Sequence, residues 1–400
     1  MKPLSVTGLG VVSPYGVGWE VFREGFADPT RDVFDATTTL FDAAPYEGAR
    51  LAEVRGFEPA KHLGATGLRN NDRLTKLLLV AARTGLAHAG LKSNGVWQRL
   101  GPDDVGVVGA TAYGSLEAIH ELNTVARTED PRYLNPARFP NTVINSSVGY
   151  VSIWDELRAL NATVVNGPPG ALDAVSAASM YLAAGRAKAV LVGGGESLSE
   201  PLVLGLHLAG ALDRGSSMWG AGRKKSAGLR VGEGACFAVL EPAAAARAAG
   251  ATEYACVIGY GTAFDPREGE DNFCGPSADA MERAIRAALR DAAVAPAEVD
   301  VVATGLSGFG AMDVPELAAL RAVFAPTQCL AAPKGRYGET LGASGALGLA
   351  AAVAWLHGAA VTGVVEGTAP AHVRTCVVTA LGFHGNASAL VVRGADGSDS

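Results

Sequence analysis

Short apolar runs rich in Val, Ile and Thr alternate along the chain with longer Ala-rich stretches whose apolar residues recur at helical spacing. The pattern predicts strands at Ser5–Thr7, Val105–Val108, Thr163–Val165 and Ala189–Val192, and helices at Lys76–Ala89, Ser115–Val125 and Leu172–Ala184. It then starts again. Tyr254–Gly259 reads as a strand, Ser277–Ala292 as a strongly amphipathic helix, Val299–Ala303 as a strand, and Pro315–Val323 and Leu341–Leu356 as helices. Val373–Ala380 and Ala389–Val392 close the series as strands. Such alternation is the signature of an α/β fold. The join falls in the Ala/Arg-rich segment Pro242–Ala251, so two similar halves are expected, residues 1–249 and 250–400. No short-period repeat is present, which argues against a solenoid.

No Asp, Glu, Lys or Arg lies between Glu339 and Glu366, a length that could span a bilayer. The stretch is mostly Ala and Gly, contains His357 and Thr362, and would break near Gly358, so a buried helix followed by a strand is expected and no membrane contact. The start of the chain alternates Leu4, Val6 and Leu9 between Gly8, Gly10 and Pro14, which reads as a first strand and not as a signal peptide. The polar C-terminal Ala395–Ser400 is expected to fray.

Composition narrows the class. With 400 residues and 48% hydrophobic content, the chain can bury a large core; only 6% aromatics against 51 Gly favours closely packed helices and tight turns. A net charge of −7 without a dominant basic stripe points away from nucleic acid. Five single cysteines (Cys236, Cys256, Cys274, Cys329 and Cys376) make no CxxC and no disulfide framework, so a reducing, cytoplasmic setting is expected.

The turn Asn166-Gly167-Pro168-Pro169-Gly170 follows a strand and opens a helix, the place where α/β enzymes present a nucleophile to a helix N-terminus. Here it offers no Cys, Ser or Lys, and two prolines remove N–H donors that an oxyanion site would use. Taken alone, the segment fits an emptied site or a plain tight connection equally well. Gly220–Ser226 superficially suggests a phosphate loop but lacks the Gly-Lys-Ser/Thr adjacency and a preceding apolar strand, so a solvated basic loop is expected. No GxSxG occurs, the triple glycine Gly193–Gly195 does not make GxGxxG, and the seven histidines show no metal-ligand spacing. His207 and His384 sit in Gly-containing segments that could face a pocket.

Five segments carry a family resemblance. Val6-Thr7-Gly8-Leu9-Gly10-Val11-Val12-Ser13-Pro14 resembles the first strand and turn of β-ketoacyl synthases, and Gly193-Gly194-Gly195-Glu196 their strand-ending Gly-Gly-Ala-Glu. Val231–Ala235 matches their Gly-Glu-Gly-Ala segment, Pro333–Ala343 resembles Lys-Ser-x-x-Gly-His-x-x-Gly-Ala, and Leu381–Gly385 their Phe-Gly-Phe-Gly-Gly loop. The order is that of the family over nearly the whole chain. The resemblance implies a thiolase-like, layered α-β-α-β-α fold made of two similar halves.

It also implies three vacancies. The family's acyl-accepting Cys falls on Pro168, its first His on Gly305 and its second His on Glu339; only the Lys is kept, as Lys334. Pro cannot form an acyl-enzyme and Gly has no side-chain donor, so condensation by this chain alone is not expected. Gly170-Ala171-Leu172-Asp173-Ala174 is similar to the stretch after the Cys position in the chain-length factor, the inactive partner of type II polyketide ketosynthases, although Pro168 replaces that family's usual Gln. That kinship implies a catalytic ketosynthase as partner, an acyl carrier protein that alone brings phosphopantetheine, no cofactor or metal of its own, and a polyketide or polyene product. It makes Leu116, Ile119 and Asn123, spaced i, i+3, i+7 on one helix, candidate acyl-tunnel residues together with His207. Leu116 and Ile119 serve equally well as core residues. Asn141–Val151 resembles the family segment leading into the dimer strand, so Thr163–Val165 is the candidate for pairing across an interface, and Arg223-Lys224-Lys225 a candidate contact for an acidic carrier protein. A repurposed thioester hydrolase or transferase using Glu339 as base, and a stand-alone acyl-binding protein, are the rival expectations.

Overall fold

The computed structural model describes residues 1–213, 228–266 and 274–395. The first half contributes β1 (Leu4–Ser13), β2 (Val105–Ala110), β3 (Asn161–Val164), β4 (Ala189–Glu196) and β5 (Gly234–Pro242). The second contributes β6 (Ala255–Phe264), β7 (Val301–Ala303), β8 (Cys329–Ala331), β9 (Thr375–Leu381) and β10 (Asn386–Arg393). Between them lie α1 (Arg73–His88), α2 (Leu116–Thr128), α3 (Ser146–Asp155), α4 (Gly170–Ala183) and α5 (Glu200–Leu208), then α6 (Ala278–Ala292), α7 (Gly310–Val323) and α8 (Ser344–Leu356).

The strands run in the order β3-β2-β4-β5-β1 and, continuing, β6-β10-β9-β7-β8. Each strand of the second half therefore holds the place of the strand five numbers earlier. Pairing directions repeat too: β1–β5 and β5–β4 are antiparallel, β4–β2 and β2–β3 parallel, and so are their counterparts. The halves meet where β1 pairs antiparallel with β6 from Leu4↔Val257 to Val6↔Ala255.

Helix placement completes five layers. α4 and α8 lie between the two half-sheets: α4 touches β4 and β2 on one side and β10 on the other, and α8 touches β5 and β4 as well as β9 and β7. The uncharged stretch noted above is thus the central helix, and all of Ser344–Leu356 is buried. No helix among the described residues is long and apolar enough to cross a membrane. α1 covers the outer face of β1 and β5, and α6 that of β6 and β10. Glycines let these outer helices approach: a Cβ on Gly10 would stand 1.9 Å from the Ala81 carbonyl oxygen, and one on Gly261 2.2 Å from that of Ala284.

Candidate functional site

The turn after β3 is built to start a helix. Gly167 takes a positive φ of 65°, the Gly170 N–H donates to its carbonyl at 3.0 Å, and the Pro169 carbonyl accepts from Leu172 and Asp173 at 2.9 and 3.0 Å. Pro168 and Pro169 are buried. Neither has an N–H, so the start of α4 presents no nucleophile and two fewer donors. Asp173, in the first turn of α4, accepts from Asn166 Nδ2 and the Tyr260 hydroxyl, each at 2.8 Å, and from the Ser388 hydroxyl.

Gly305 follows β7, and the space a side chain would need there is already filled. A Cβ at this position would lie 2.9 and 3.1 Å from the two carboxyl oxygens of Glu316 on α7. Glu316 is buried, and its Oε1 accepts from the Gly305 N–H at 2.7 Å and the Thr379 hydroxyl at 2.6 Å. Burial pushes its carboxyl above the usual range. One turn earlier, Asp313 accepts from the N–H groups of Ser307 and Gly308 at 2.9 and 2.7 Å, and burial pushes it up to about 7.

Lys334 begins a short helix, Lys334–Tyr337, after β8, and its Nζ donates to Glu339 Oε2 at 2.6 Å. The other oxygen of Glu339 accepts from the Leu341 N–H at 2.7 Å and from the Ser344 hydroxyl. Both partners of this ion pair are buried. Glu316 and Asp313 also feel the Lys334 charge, so one ammonium serves three buried carboxyl groups. Both oxygens of this carboxylate are engaged, one by an ammonium and the other by an amide and a hydroxyl, which weakens it as a base toward a substrate.

Two further acids organise the surroundings. Glu196, at the end of β4, accepts from the Ala112 N–H at 2.7 Å, the Gly342 N–H at 3.3 Å and the Thr111 hydroxyl, and burial raises it to about 7. Glu233 of the Gly-Glu-Gly-Ala segment is gripped by Arg73 Nε at 2.7 Å and accepts from the Val54 and Leu198 N–H groups. Glu316 and Asp313 escaped the sequence reading: three apart on a helix, they look like an ordinary solvated face, and only their burial gives them away.

Two hollows accompany the site. A cleft of about 530 Å³ is lined by Tyr113, Asn166, Gly167, Phe264, Phe383 and His384 among others. His384 faces it, whereas Pro168, Gly305, Lys334 and Glu339 do not. A second hollow of about 520 Å³ runs along α2, where Ile119 and Asn123 face Leu134, Pro136 and Phe139. Of the four candidate tunnel residues, the structure brings these two together. Leu116 turns toward the core cluster that contains Leu202 and Leu206. His207 lies on α5, edge-on to Tyr46 at 5.6 Å between ring centres, and does not line the groove.

β3 is the free edge of the sheet on this side. Near it the surface is unusually apolar for an exposed face, with Ile119, Phe139, Val143, Ile144 and Val165 all exposed. Gly220–Ser226, including Arg223-Lys224-Lys225, lies outside the described residues, as does the tail beyond Ala395. Among the described residues no cluster of three or more His, Cys, Asp or Glu could hold a metal ion.

Twin halves wrapped around paired central helices, with a strand-to-helix turn placed at the start of one of them, define a thiolase-like condensing fold. The family model for the β-ketoacyl synthase N-terminal domain matches residues 1–246 and that for the C-terminal domain residues 254–367, so the chain belongs to the β-ketoacyl synthase family. It is 32% identical to the tetracenomycin polyketide synthase ketoacyl synthase beta subunit of Streptomyces glaucescens, over 98% of each chain. It is also 30% identical to 3-oxoacyl-[acyl-carrier-protein] synthase 2 of Coxiella burnetii, over 86% of this chain and 83% of that one. In structure it matches a chain of the ishigamide ketosynthase/chain length factor with a TM-score of 0.85 and 25% identity, over 98% of this chain and 99% of that one. Within the family, then, it is similar to the chain-length-factor type as well as to synthases.

Proposed function

We propose that this chain is a non-catalytic, chain-length-factor-like subunit that pairs with an active ketosynthase in the cytoplasm and shapes the tunnel for a growing polyketide or polyene chain. One observation carries the reading. The three family catalytic positions, on the correspondence drawn from the sequence, hold a proline without an N–H, a glycine whose side-chain space Glu316 occupies, and a glutamate tied to Lys334, Leu341 and Ser344. None of the three can attack a thioester or stabilise a carbanion. The same geometry speaks against a hydrolase using Glu339 as base. A fold kept without its chemistry is useful through its contacts, and the free β3 edge beside exposed apolar side chains supplies a surface for a partner. In the partner complex an acyl carrier protein would bring the thioester, so this subunit needs no cofactor.

The test uses the edge. Val107 and Thr111 of the β2 side donate to the Leu160 and Val164 carbonyls, so by strand alternation the Thr163 N–H points away from the sheet. Thr163→Pro therefore leaves the chain's own ladder intact and removes a donor from the free edge. Co-expressed with an active ketosynthase from the same genome, the wild-type chain is expected to elute and fly in native mass spectrometry as a one-to-one heterodimer, and Thr163→Pro to weaken it. A wild-type homodimer or monomer that ignores the ketosynthase would overturn the reading.

A further inference from the structure

The groove along α2 carries a chemical bias that tunnel formation by itself does not specify. Ile119, Leu122, Leu134, Pro136 and Phe139 are apolar, and none of the eight side chains lining it is charged, in a chain with 18% charged residues. The three polar lining residues are Asn123, Asn135 and Thr142. The Thr142 hydroxyl is spent on the Phe139 carbonyl at 2.8 Å. The Asn135 side-chain oxygen is spent on the Ala137 N–H at 3.0 Å.

The backbone of the facing wall is nearly closed. The N–H groups of Leu134, Arg138, Phe139, Asn141 and Val143 donate to the carbonyls of Pro131, Asn135, Pro136, Arg138 and Pro140, and Pro136 and Pro140 have no N–H to offer. Among the described residues, the side-chain amides of Asn123 and Asn135 and the Asn135 N–H are the donors left without a partner along this wall. Both residues are exposed.

We propose that this groove takes a reduced or polyunsaturated hydrocarbon stretch of acyl chain and disfavours a poly-β-ketone. The inference rests on the chain-length-factor reading for the delivery of a chain, and goes beyond it by naming the class of chain. A poly-β-ketone carries a carbonyl on every second carbon. Each carbonyl that packs against this wall loses water partners there, and two side-chain amides with two N–H each plus the Asn135 N–H serve five carbonyls at most, fewer than a long poly-β-ketone carries. A saturated or conjugated chain has no acceptor to satisfy and gains from contact with Ile119, Leu122 and Phe139. The uncharged lining matches an uncharged occupant.

The experiment titrates the purified heterodimer with parinaric acid, a conjugated 18-carbon fatty acid that fluoresces when it enters an apolar site, and displaces it with competitors of the same length. Saturated octadecanoic acid is expected to displace it at concentrations at least roughly tenfold lower than an octadecanoic acid bearing ketones on about six or more alternate carbons, a difference of about one unsatisfied acceptor. Ile119→Trp, which fills the groove, is expected to abolish the signal. Leu122→Asn, which adds a donor, is expected to narrow the tenfold gap. Equal or tighter binding of the oxo-acid by the wild type would overturn the proposal, as would parinaric acid binding untouched by Ile119→Trp. Native mass spectrometry reports heterodimer assembly separately. If no heterodimer forms, the partner reading fails, and the same titration on the chain alone still decides the preference of the groove.

Discussion

Replacing Lys334 by Met tests whether this buried lysine serves structure. The ammonium is buried, meets Glu339 at 2.6 Å, and sits within electrostatic reach of Glu316 and Asp313. Met fills similar space but leaves three carboxyl groups without a cation. Breaking a buried pair by removing one partner costs about 3–5 kcal/mol, because the remaining charge stays desolvated. With an unfolding entropy of ~2.1 cal/mol/K per residue over 400 residues, a single cooperative transition would shift down by roughly 4–6 °C. Adding Glu339→Gln removes the orphaned charge while its carbonyl still accepts from Leu341 and Ser344. The double variant is therefore expected to recover part of the loss, with a coupling of about 1–3 kcal/mol. Calorimetry and urea unfolding of the four proteins in the cycle measure this. A Lys334→Met loss under about 1 kcal/mol, as for an exposed pair such as Arg23–Glu20, or strict additivity, would refute the reasoning.

Other expectations follow from the same geometry. Burial holds Glu196 at about 7, above its unfolded value, so its contribution to stability is complete below the unfolded pKa and is lost as pH rises through about 7. Glu196→Gln, whose carbonyl can still face Ala112 and whose amide can face Thr111, should flatten the melting profile between about pH 5 and pH 7 by up to ~1.4 kcal/mol per pH unit. Gly10→Ala should destabilise the fold through overpacking by about 1–3 kcal/mol or more, read as a lower melting temperature, since the new methyl meets the Ala81 carbonyl. Gly149→Ala, on helix α3 with nothing within 4 Å of the new Cβ, should be neutral or stabilising in the same assay. Asn141 is buried and its Nδ2 bonds the Asn70 carbonyl at 2.7 Å, so Asn141→Ala should cost about 1–3 kcal/mol, read by urea unfolding, and loosen the groove wall that carries Phe139.

Much of the architecture was legible before any coordinates. Alternation of apolar strands and Ala-rich helices revealed the α/β class, because a buried parallel strand and an amphipathic helix impose different spacings on the same residues. Two of the helices that the pattern does not reveal lack a stripe. In α5, Leu202, Val203 and Leu206 are buried while Leu204 and Leu208 are exposed, and Ile153 of α3 is exposed, so apolar residues encircle both helices. β5 was read only as a Gly-Glu-Gly-Ala motif, although Gly234–Pro242 forms one of the longest strands. Thr163–Val165 was placed one to two residues late on β3, the usual slack of a strand end.

For the site, motif order alone proposes Pro168, Gly305, Lys334 and Glu339, since the lack of a nucleophile is a property of residue identity. What surrounds these positions is a property of space. Only the tertiary structure brings Glu316, eleven residues beyond Gly305, into the volume a side chain would take, and only it closes Lys334 on Glu339. The same is true of the tunnel candidates: helical spacing put Leu116, Ile119 and Asn123 on one face, but packing against the core claims Leu116 and leaves the other two to the groove. Periodicity records which way a side chain points along its own element; what it meets there depends on segments far away in the chain.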